Sequence, residues 1–331
     1  MSERHDSAAG RYIGVDIGRT IRAAIVTVDG EIVAQRDLLA ETRMPRIFLR
    51  QLIEVITELC QLPDAGTIGA IGIGWPGLVN QQTQHIELAP HLVDLSGFDV
   101  YRELSGAIGV PLVFDNDANM AAYGEWTCGA ARGARHVFFV SFGTGIGSAL
   151  ILDGRLHRGA AGYAGEFGHC KVDPRGIECG CGGVGCLETV ASGPNIVRRV
   201  REMFFTDPAY SLSSLATDMA GVLTLQRVIE AAINGDRLAR AALREAGAAV
   251  GLAIANVINL LNVDVIVIGG PVMAVGDLLL RAIRREASRH SFALSFRRCR
   301  FVRSELGEMA GVIGAALLAR DHVRSALVEV F

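Results

Sequence analysis

The stretch RYIGVDIGRTIRAAIVTVDGEIVAQ, Arg11 to Gln35, has a counterpart in HVFFVSFGTGIGSALILDGRLHRG, His136 to Gly159. In the first, Tyr12–Ile17 is an apolar, β-branched run ending at Gly18-Arg19-Thr20. Ile21–Val28 is a second run, ending at Asp29-Gly30, and Glu31–Gln35 is a third. In the second stretch His136–Phe142 leads to Gly143-Thr144-Gly145, Ile146–Leu152 to Asp153-Gly154, and Arg155–Arg158 follows. Short β-branched runs broken by Gly and Asp-Gly predict a three-strand meander in each case. Gly18 precedes Asp29 by eleven residues and Gly143 precedes Asp153 by ten, so one unit recurs 125 residues later. A single such hairpin is ordinary in any α/β protein. A pair with matching turns is more specific, because a Gly/Thr turn offers backbone N–H groups and a hydroxyl to an anion. Two of them, from two related domains, can grip a polyphosphate from both sides.

Composition bounds what else the chain can be. Its 331 residues, 50% hydrophobic and 20% charged, suffice for two globular domains. The net charge of −3 and the lack of any basic run argue against a nucleic-acid partner. The N-terminal MSERHDSAAGR has no apolar core of a signal peptide, and Val250–Gly270 is interrupted by Asn256, Asn259, Asn262 and Asp264. No membrane partner is expected, and a cytoplasmic protein is. The basic residues are 31 arginines and one lysine, Lys171, which follows His169-Cys170 and precedes Val172. Neither a Walker P-loop nor the strand lysine of a protein kinase can be built on that context.

GHCKVDPRGIECGCGGVGCLE, Gly168 to Glu188, holds four of the seven cysteines, three of them within eight residues. Cys179, Cys181 and Cys186 with His169 supply three sulfurs and one nitrogen, a set that favours a closed, structural Zn2+ over reduced core cysteines. Gly180, Gly182, Gly183 and Gly185 let the backbone wrap a small sphere. Cys170 is not counted as a ligand.

Three further stretches carry polar chemistry or glycine at strand ends. IGAIGIGWPGLVN, from Ile68, ends a buried-strand pattern at Gly74-Trp75-Pro76-Gly77. VPLVFDNDANMAAYGEW, from Val110, runs an apolar strand into Asp115-Asn116-Asp117-Ala118-Asn119 and then a helix through Trp126. Acidic and Asn residues there serve as N-caps. At the carboxyl edge of a sheet they can also take a proton from a hydroxyl or hydrogen-bond one. NVDVIVIGGPV predicts a strand Val263–Ile268 ending at Gly269-Gly270, and SELGEMAGVIGAALLARD, from Ser304, predicts a closing helix.

With its DxG…T and GTGxG turns, its DNDAN, its ExGH in AGEFGHC and its CxCGxxGCxE, the chain resembles the ROK family of sugar kinases and sugar-responsive repressors, from Tyr12 to about Arg320. The resemblance implies an α/β, two-domain actin-like ATPase (ribonuclease H-like) fold with duplicated β-hairpin/α units and an interdomain cleft. The smaller domain would comprise residues 1–117 with a C-terminal helix over about 306–331. The larger, 118–305, would carry the zinc loop and the second phosphate loop. The resemblance makes Asp117 the catalytic base, with Asp115 the second choice. Gly77, Asn116, Asp117, Glu166, His169 and Glu188 would bind sugar. Asp16, Gly18, Arg19, Thr20, Gly143, Thr144, Gly145, Gly269 and Gly270 would serve ATP and Mg2+. The implied reaction is phosphoryl transfer from ATP to the 6-hydroxyl of a hexose, glucose first, with N-acetylmannosamine, allose, mannose or fructose as alternatives. The family's oligomers imply a homodimer or homotetramer. A ROK-type regulator is disfavoured, because about ten polar residues precede the first strand where repressors carry a DNA-binding module. A sugar sensor without kinase activity is the third reading.

Two positions depart from the family pattern. Arg19 stands where DxGGT has a glycine. It would be strained by roughly 1–2 kcal/mol if the turn needs a positive φ, or it would add a cation beside the phosphates. His91 stands where glucokinases of the family tend to have Asn, which loosens the identity of the sugar.

Overall fold

The structure, a computed structural model, describes residues 10–328 apart from 42, 90, 91, 93 and 96, so His91 lies outside the described residues. The first meander is β1 (Arg11–Ile17), β2 (Thr20–Thr27) and β3 (Ile32–Leu39). It is followed by α1 (Pro45–Cys60), β4 (Ile68–Trp75), a small hairpin of β5 (Leu78–Asn80) and β6 (His85–Leu88), α2 (Val100–Ile108), β7 (Leu112–Asn116) and α3 (Asp117–Thr127). The second meander is β8 (Val137–Phe142), β9 (Ile146–Leu152) and β10 (Arg155–Leu156). Then come α4 (Glu188–Ala191), α5 (Gly193–Thr206), α6 (Leu225–Ile233), α7 (Arg237–Leu261), β11 (Val265–Gly269), α8 (Asp277–His290), α9 (Ala293–Arg298), β12 (Arg300–Arg303) and α10 (Ala310–Val328).

The duplication extends from the hairpins to whole sheets. One sheet has the order β3-β2-β1-β4-β7 and the other β10-β9-β8-β11-β12. In the first, β1 pairs antiparallel with β2 and parallel with β4, which pairs parallel with β7. In the second, β8, β11 and β12 are likewise parallel. Both sheets therefore repeat one plan, a meander followed by two parallel strands. Strand ends differ from expectation by more than one residue at three places. β3 runs on to Leu39, β10 stops at Leu156 rather than Arg158, and β11 begins at Val265 rather than Val263. The last follows from α7 ending in Asn262 at φ 50°, a left-handed C-cap that turns the chain before the strand can start.

Packing divides the chain into two units: one is the chain up to Gly133, Ala149–Ala164 and the chain from Glu305 onward, and the other is Ala134–Ser148 with Gly165–Ser304. This differs from a boundary at 117/118, since α3 and residues 149–164 go with the first unit. The cause is local packing. A Cβ on Gly314 of α10 would lie 1.7 Å from the Met120 carbonyl, so α10 and α3 touch backbone to backbone. Arg158 reaches Asp115 in the same unit.

In the first unit, alternate residues of β1 face opposite ways. Ile13, Val15 and Ile17 join a core with Phe48, Leu52, Ile56 and Leu59 of α1 and Leu104 of α2. Tyr12 joins a second core with Val312, Ala315 and Ala316 of α10. Each fully buried Ile or Leu contributes roughly 1.5–3 kcal/mol. Glycine admits α10 to the sheet: a Cβ on Gly14 would fall 1.8 Å from the Val312 carbonyl, and one on Gly72 2.0 Å from that of Ala315. In the second unit β8 and β11 are almost wholly buried, with Leu243, Ile254 and Ile258 of α7 and Ile283 of α8 also in the core. Among the described residues α7 alone is long and apolar enough to cross a membrane, but over half of its apolar stretch is buried within the protein.

Candidate active site and metal centre

Parallel pairing brings three strand exits of the first unit abreast. Asp16 of β1 pairs with Gly74 of β4, Gly74 with Asp115 of β7, and Trp75 with Asn116. The turn Gly18-Arg19-Thr20, the Gly74-Trp75-Pro76-Gly77 loop and the Asp115-Asn116-Asp117 junction thus share one carboxyl edge, where open α/β sheets bind ligands. Trp75 is fully buried against Phe48 and Phe114 and anchors its loop.

The three polar residues at the junction have distinct roles. Asp115 is wholly buried; its carboxylate accepts from Arg158 Nε at 2.7 Å, the Asn116 N–H at 2.8 Å and Asn119 Nδ2 at 2.8 Å. Asn116 is the N-cap of α3, its Oδ1 accepting from the N–H groups of Ala118 and Asn119, while its Nδ2 donates to the Gly77 carbonyl at 2.9 Å. The capping role that sequence alone allowed is therefore real, and the same side chain ties the junction to the glycine-proline loop. Asp117 is the first residue of α3, half-buried, with Oδ1 accepting its neighbour's N–H at 2.8 Å and its Cα packed beside Gly74. Arg158 gave no signal in sequence, because its partner lies 43 residues away.

Asp16 packs under α10, with Gly311 so close that a Cβ there would lie 2.7 Å from the Asp16 carboxyl. Burial pushes its pKa up to about 6, against the lowering effect of Arg22. Arg22 is shared with Asp37 and Glu308, at 3.2 and 3.1 Å, and so does not fully neutralise Asp16. Gly18 and Arg19 are exposed and Thr20 is half-buried. Arg19 is not among the residues with positive φ, so the strain expected for a non-glycine residue in this turn is not there.

In the second unit β8 and β11 end side by side, Ser141 opposite Gly269. Gly270, at φ 87°, lies against Phe142, whose carbonyl would be 2.4 Å from a Cβ, and a Cβ on Gly143 would lie 3.6 Å from the ring of Pro271. The turn Gly143-Thr144-Gly145 and the pair Gly269-Gly270 are thereby neighbours.

The metal-ligand set also converges. His169, Cys179, Cys181 and Cys186 each offer a ligand atom within 4.8 Å of the others. A tetrahedral zinc with Zn–S of about 2.3 Å and Zn–N of about 2.0–2.1 Å sets S···S edges of about 3.8 Å and S···N edges of about 3.6 Å. The distances here are 3.7 Å for Cys181 Sγ to Cys186 Sγ and 3.6 Å for Cys179 Sγ to His169 Nδ1. The four residues fit a closed structural zinc, with no position left for chemistry. Cys170 is exposed and outside the set. The chain's one lysine donates from Nζ to Cys186 Sγ at 2.8 Å, which raises its own pKa and balances the thiolate charge such a centre carries. With Nδ1 turned to the sulfurs, His169 Nε2 faces Glu166 at 3.7 Å. Burial raises the Glu166 pKa against His169, and Glu188 raises it further. Glu188, the first residue of α4, accepts the Ile146 N–H at 2.9 Å. That contact just after the Gly143-Thr144-Gly145 turn was not legible in the sequence.

A model of the ROK family matches residues 12–322. A protein named glucokinase from Halalkalibacterium halodurans is 34% identical over 327 residues, covering 95% of this chain and 96% of that protein. A xylose repressor of Bacillus subtilis is 30% identical over 318 residues, covering 95% of this chain and 78% of the repressor. The crystal structure of a ROK family glucokinase from Streptomyces griseus, in complex with glucose and AMPPNP, superposes with a TM-score of 0.83 at 32% identity, covering 94% of this chain and all of that one.

Proposed function

The chain belongs to the ROK family, and from that premise we propose that it is an ATP-dependent hexose kinase acting on the 6-hydroxyl, with glucose as the first substrate. The observation that carries the reading is the division of labour at the β7–α3 junction. Asp115 is committed to Arg158 and to two N–H donors, and Asn116 to the cap and Gly77, which supports reading Asp117 as the base.

Asp117 takes the proton of the 6-hydroxyl as that oxygen attacks the terminal phosphorus of ATP, and ADP leaves. Backbone N–H groups of Gly18–Thr20 and Gly143–Gly145 receive phosphate oxygens, with the Arg19 guanidinium as an added cation. Gly269-Gly270 gives a flat base or ribose room to approach the backbone. Asp16 would help hold Mg2+, which would supply neutralisation of the charge that develops on transfer. Gly77, Asn116, Glu166, His169 and Glu188 hold sugar hydroxyls. Zinc held by the three cysteines and His169 Nδ1 would orient the ring and leave Nε2 on the Glu166 side. We assign the enzyme to the cytoplasm, as a homo-oligomer.

The test is a coupled assay of the folded, zinc-loaded protein with ATP, Mg2+ and a panel of hexoses. Turnover with glucose supports the reading, and no phosphorylation of any hexose overturns it. The repressor relative supports a second reading, a sugar-responsive regulator. Binding of a DNA fragment that glucose or xylose releases would establish it.

A further inference from the structure

Ile146, the residue that follows the second phosphate turn, is held at its N–H and its carbonyl by the arms of the metal knot. Ile146 comes directly after Gly143-Thr144-Gly145, and its N–H donates to Glu188 Oε2 at 2.9 Å. Glu188 lies two residues beyond the ligand Cys186. The Ile146 carbonyl abuts Gly168, where a Cβ would come within 2.5 Å of it, and Gly168 is the residue before the ligand His169. Gly145 is pressed by the same carboxylate, since a Cβ there would lie 2.6 Å from Glu188 Oε2. A third contact closes the other flank, the Gly193 N–H donating to the Gly143 carbonyl at 2.8 Å. Phe167, stacked edge-on against Phe138 of β8 with ring centroids 4.9 Å apart, fixes the Gly168 arm to the sheet.

We propose that the knot is a clamp on the phosphate turn: Glu188 and Gly168, each set in place by a neighbouring metal ligand, hold Ile146 and hence the N–H groups of Gly143–Gly145 in the geometry that binds nucleotide. Metal loading then controls nucleotide affinity, with Glu188 as the positioning residue. The arrangement explains why Glu188 follows Cys186 and Gly168 precedes His169 so closely in the chain, and why both the N–H and the carbonyl of Ile146 are occupied. A preorganised turn loses less conformational freedom on binding, which is where the affinity comes from. The proposal rests on reading Gly143–Gly145 as a phosphate turn.

The experiment is calorimetric titration of AMPPNP with Mg2+ and no sugar, on zinc-loaded protein, on chelator-stripped protein whose fold is checked by circular dichroism, and on zinc-loaded variants of measured zinc content. Stripping is expected to weaken AMPPNP binding at least 10-fold. Glu188→Ala should do the same with one zinc retained, and Glu188→Gln, which keeps an oxygen acceptor for Ile146, should stay within about 3-fold of wild type. Gly168→Ala pushes the Ile146 carbonyl without touching a ligand and should also weaken binding. Equal AMPPNP affinity in loaded and stripped protein overturns the clamp. If loaded protein binds no AMPPNP, the phosphate-turn reading fails, and hydrogen exchange at the Ile146 amide decides the coupling alone. Protection lost on stripping sustains the clamp, and unchanged protection removes it.

Discussion

Asp115 and Arg158 form an ion pair at 2.7 Å in which the carboxylate is fully buried and the guanidinium reaches in from beyond β10. The pair fastens residues 149–164 to the junction that carries Asn116 and Asp117. Arg158→Ala strands a buried charge and should lower stability by about 3 kcal/mol. Chemical denaturation of the variant measures it, and a change below about 0.5 kcal/mol would show that the pair holds nothing.

Asp117→Asn keeps size and hydrogen bonding and removes the proton acceptor. Turnover should fall by about 10²–10⁴-fold with glucose affinity within a few-fold of wild type. Steady-state kinetics and sugar titration separate the two effects. Retained turnover would move the base elsewhere.

Asp16 carries a pH dependence of definite sign. Its pKa is about 6 in the fold against 3.8 unperturbed, so folding favours the protonated carboxyl. The resulting stabilisation is complete below pH 4 and lost as pH rises through 6. At pH 8 the buried charge costs about 3 kcal/mol. Asp16→Asn should therefore unfold at higher denaturant than wild type at pH 8, with the gap closing toward pH 4. Its phosphoryl transfer should drop as well, if Asp16 holds Mg2+ as proposed. A variant equally stable at both pH values would show that Asp16 is not desolvated.

Metal removal should also reach the sugar. Glu166 faces His169, and Glu188 stands next to Cys179 across 4.0 Å. Disorder in the knot would spread both carboxylates. Cys181→Ala, which removes one exposed member of the metal-ligand set, should weaken glucose binding about 10-fold in calorimetry. Unchanged glucose affinity in protein shown to lack zinc would refute this account of the knot.

Arg19 occupies its turn without a positive φ. Arg19→Gly relieves no strain and should be neutral or destabilising by up to about 1 kcal/mol, since glycine adds freedom to the unfolded chain. ATP affinity should fall several-fold at low salt and less at high salt, because an exposed cation is screened. Stability gained by the glycine would mean the turn is strained after all.

Much of this was legible before any coordinates. The repeat of Arg11–Gln35 in His136–Gly159 announced two sheets of one plan, because β-branched runs and Asp-Gly turns are local signals. The grouping of His169, Cys179, Cys181 and Cys186 was legible for the same reason: donor type and short spacing mark them, and the fold brings them together. Three things came only from tertiary structure. Arg158 answers Asp115, α3 packs with α10 and so belongs to the first unit, and Glu188 spends an oxygen on Ile146. Each joins residues 42 or more positions apart, where nothing in local pattern indicates a partner, and each is decided by which backbones approach closely enough to leave one acceptor for one donor.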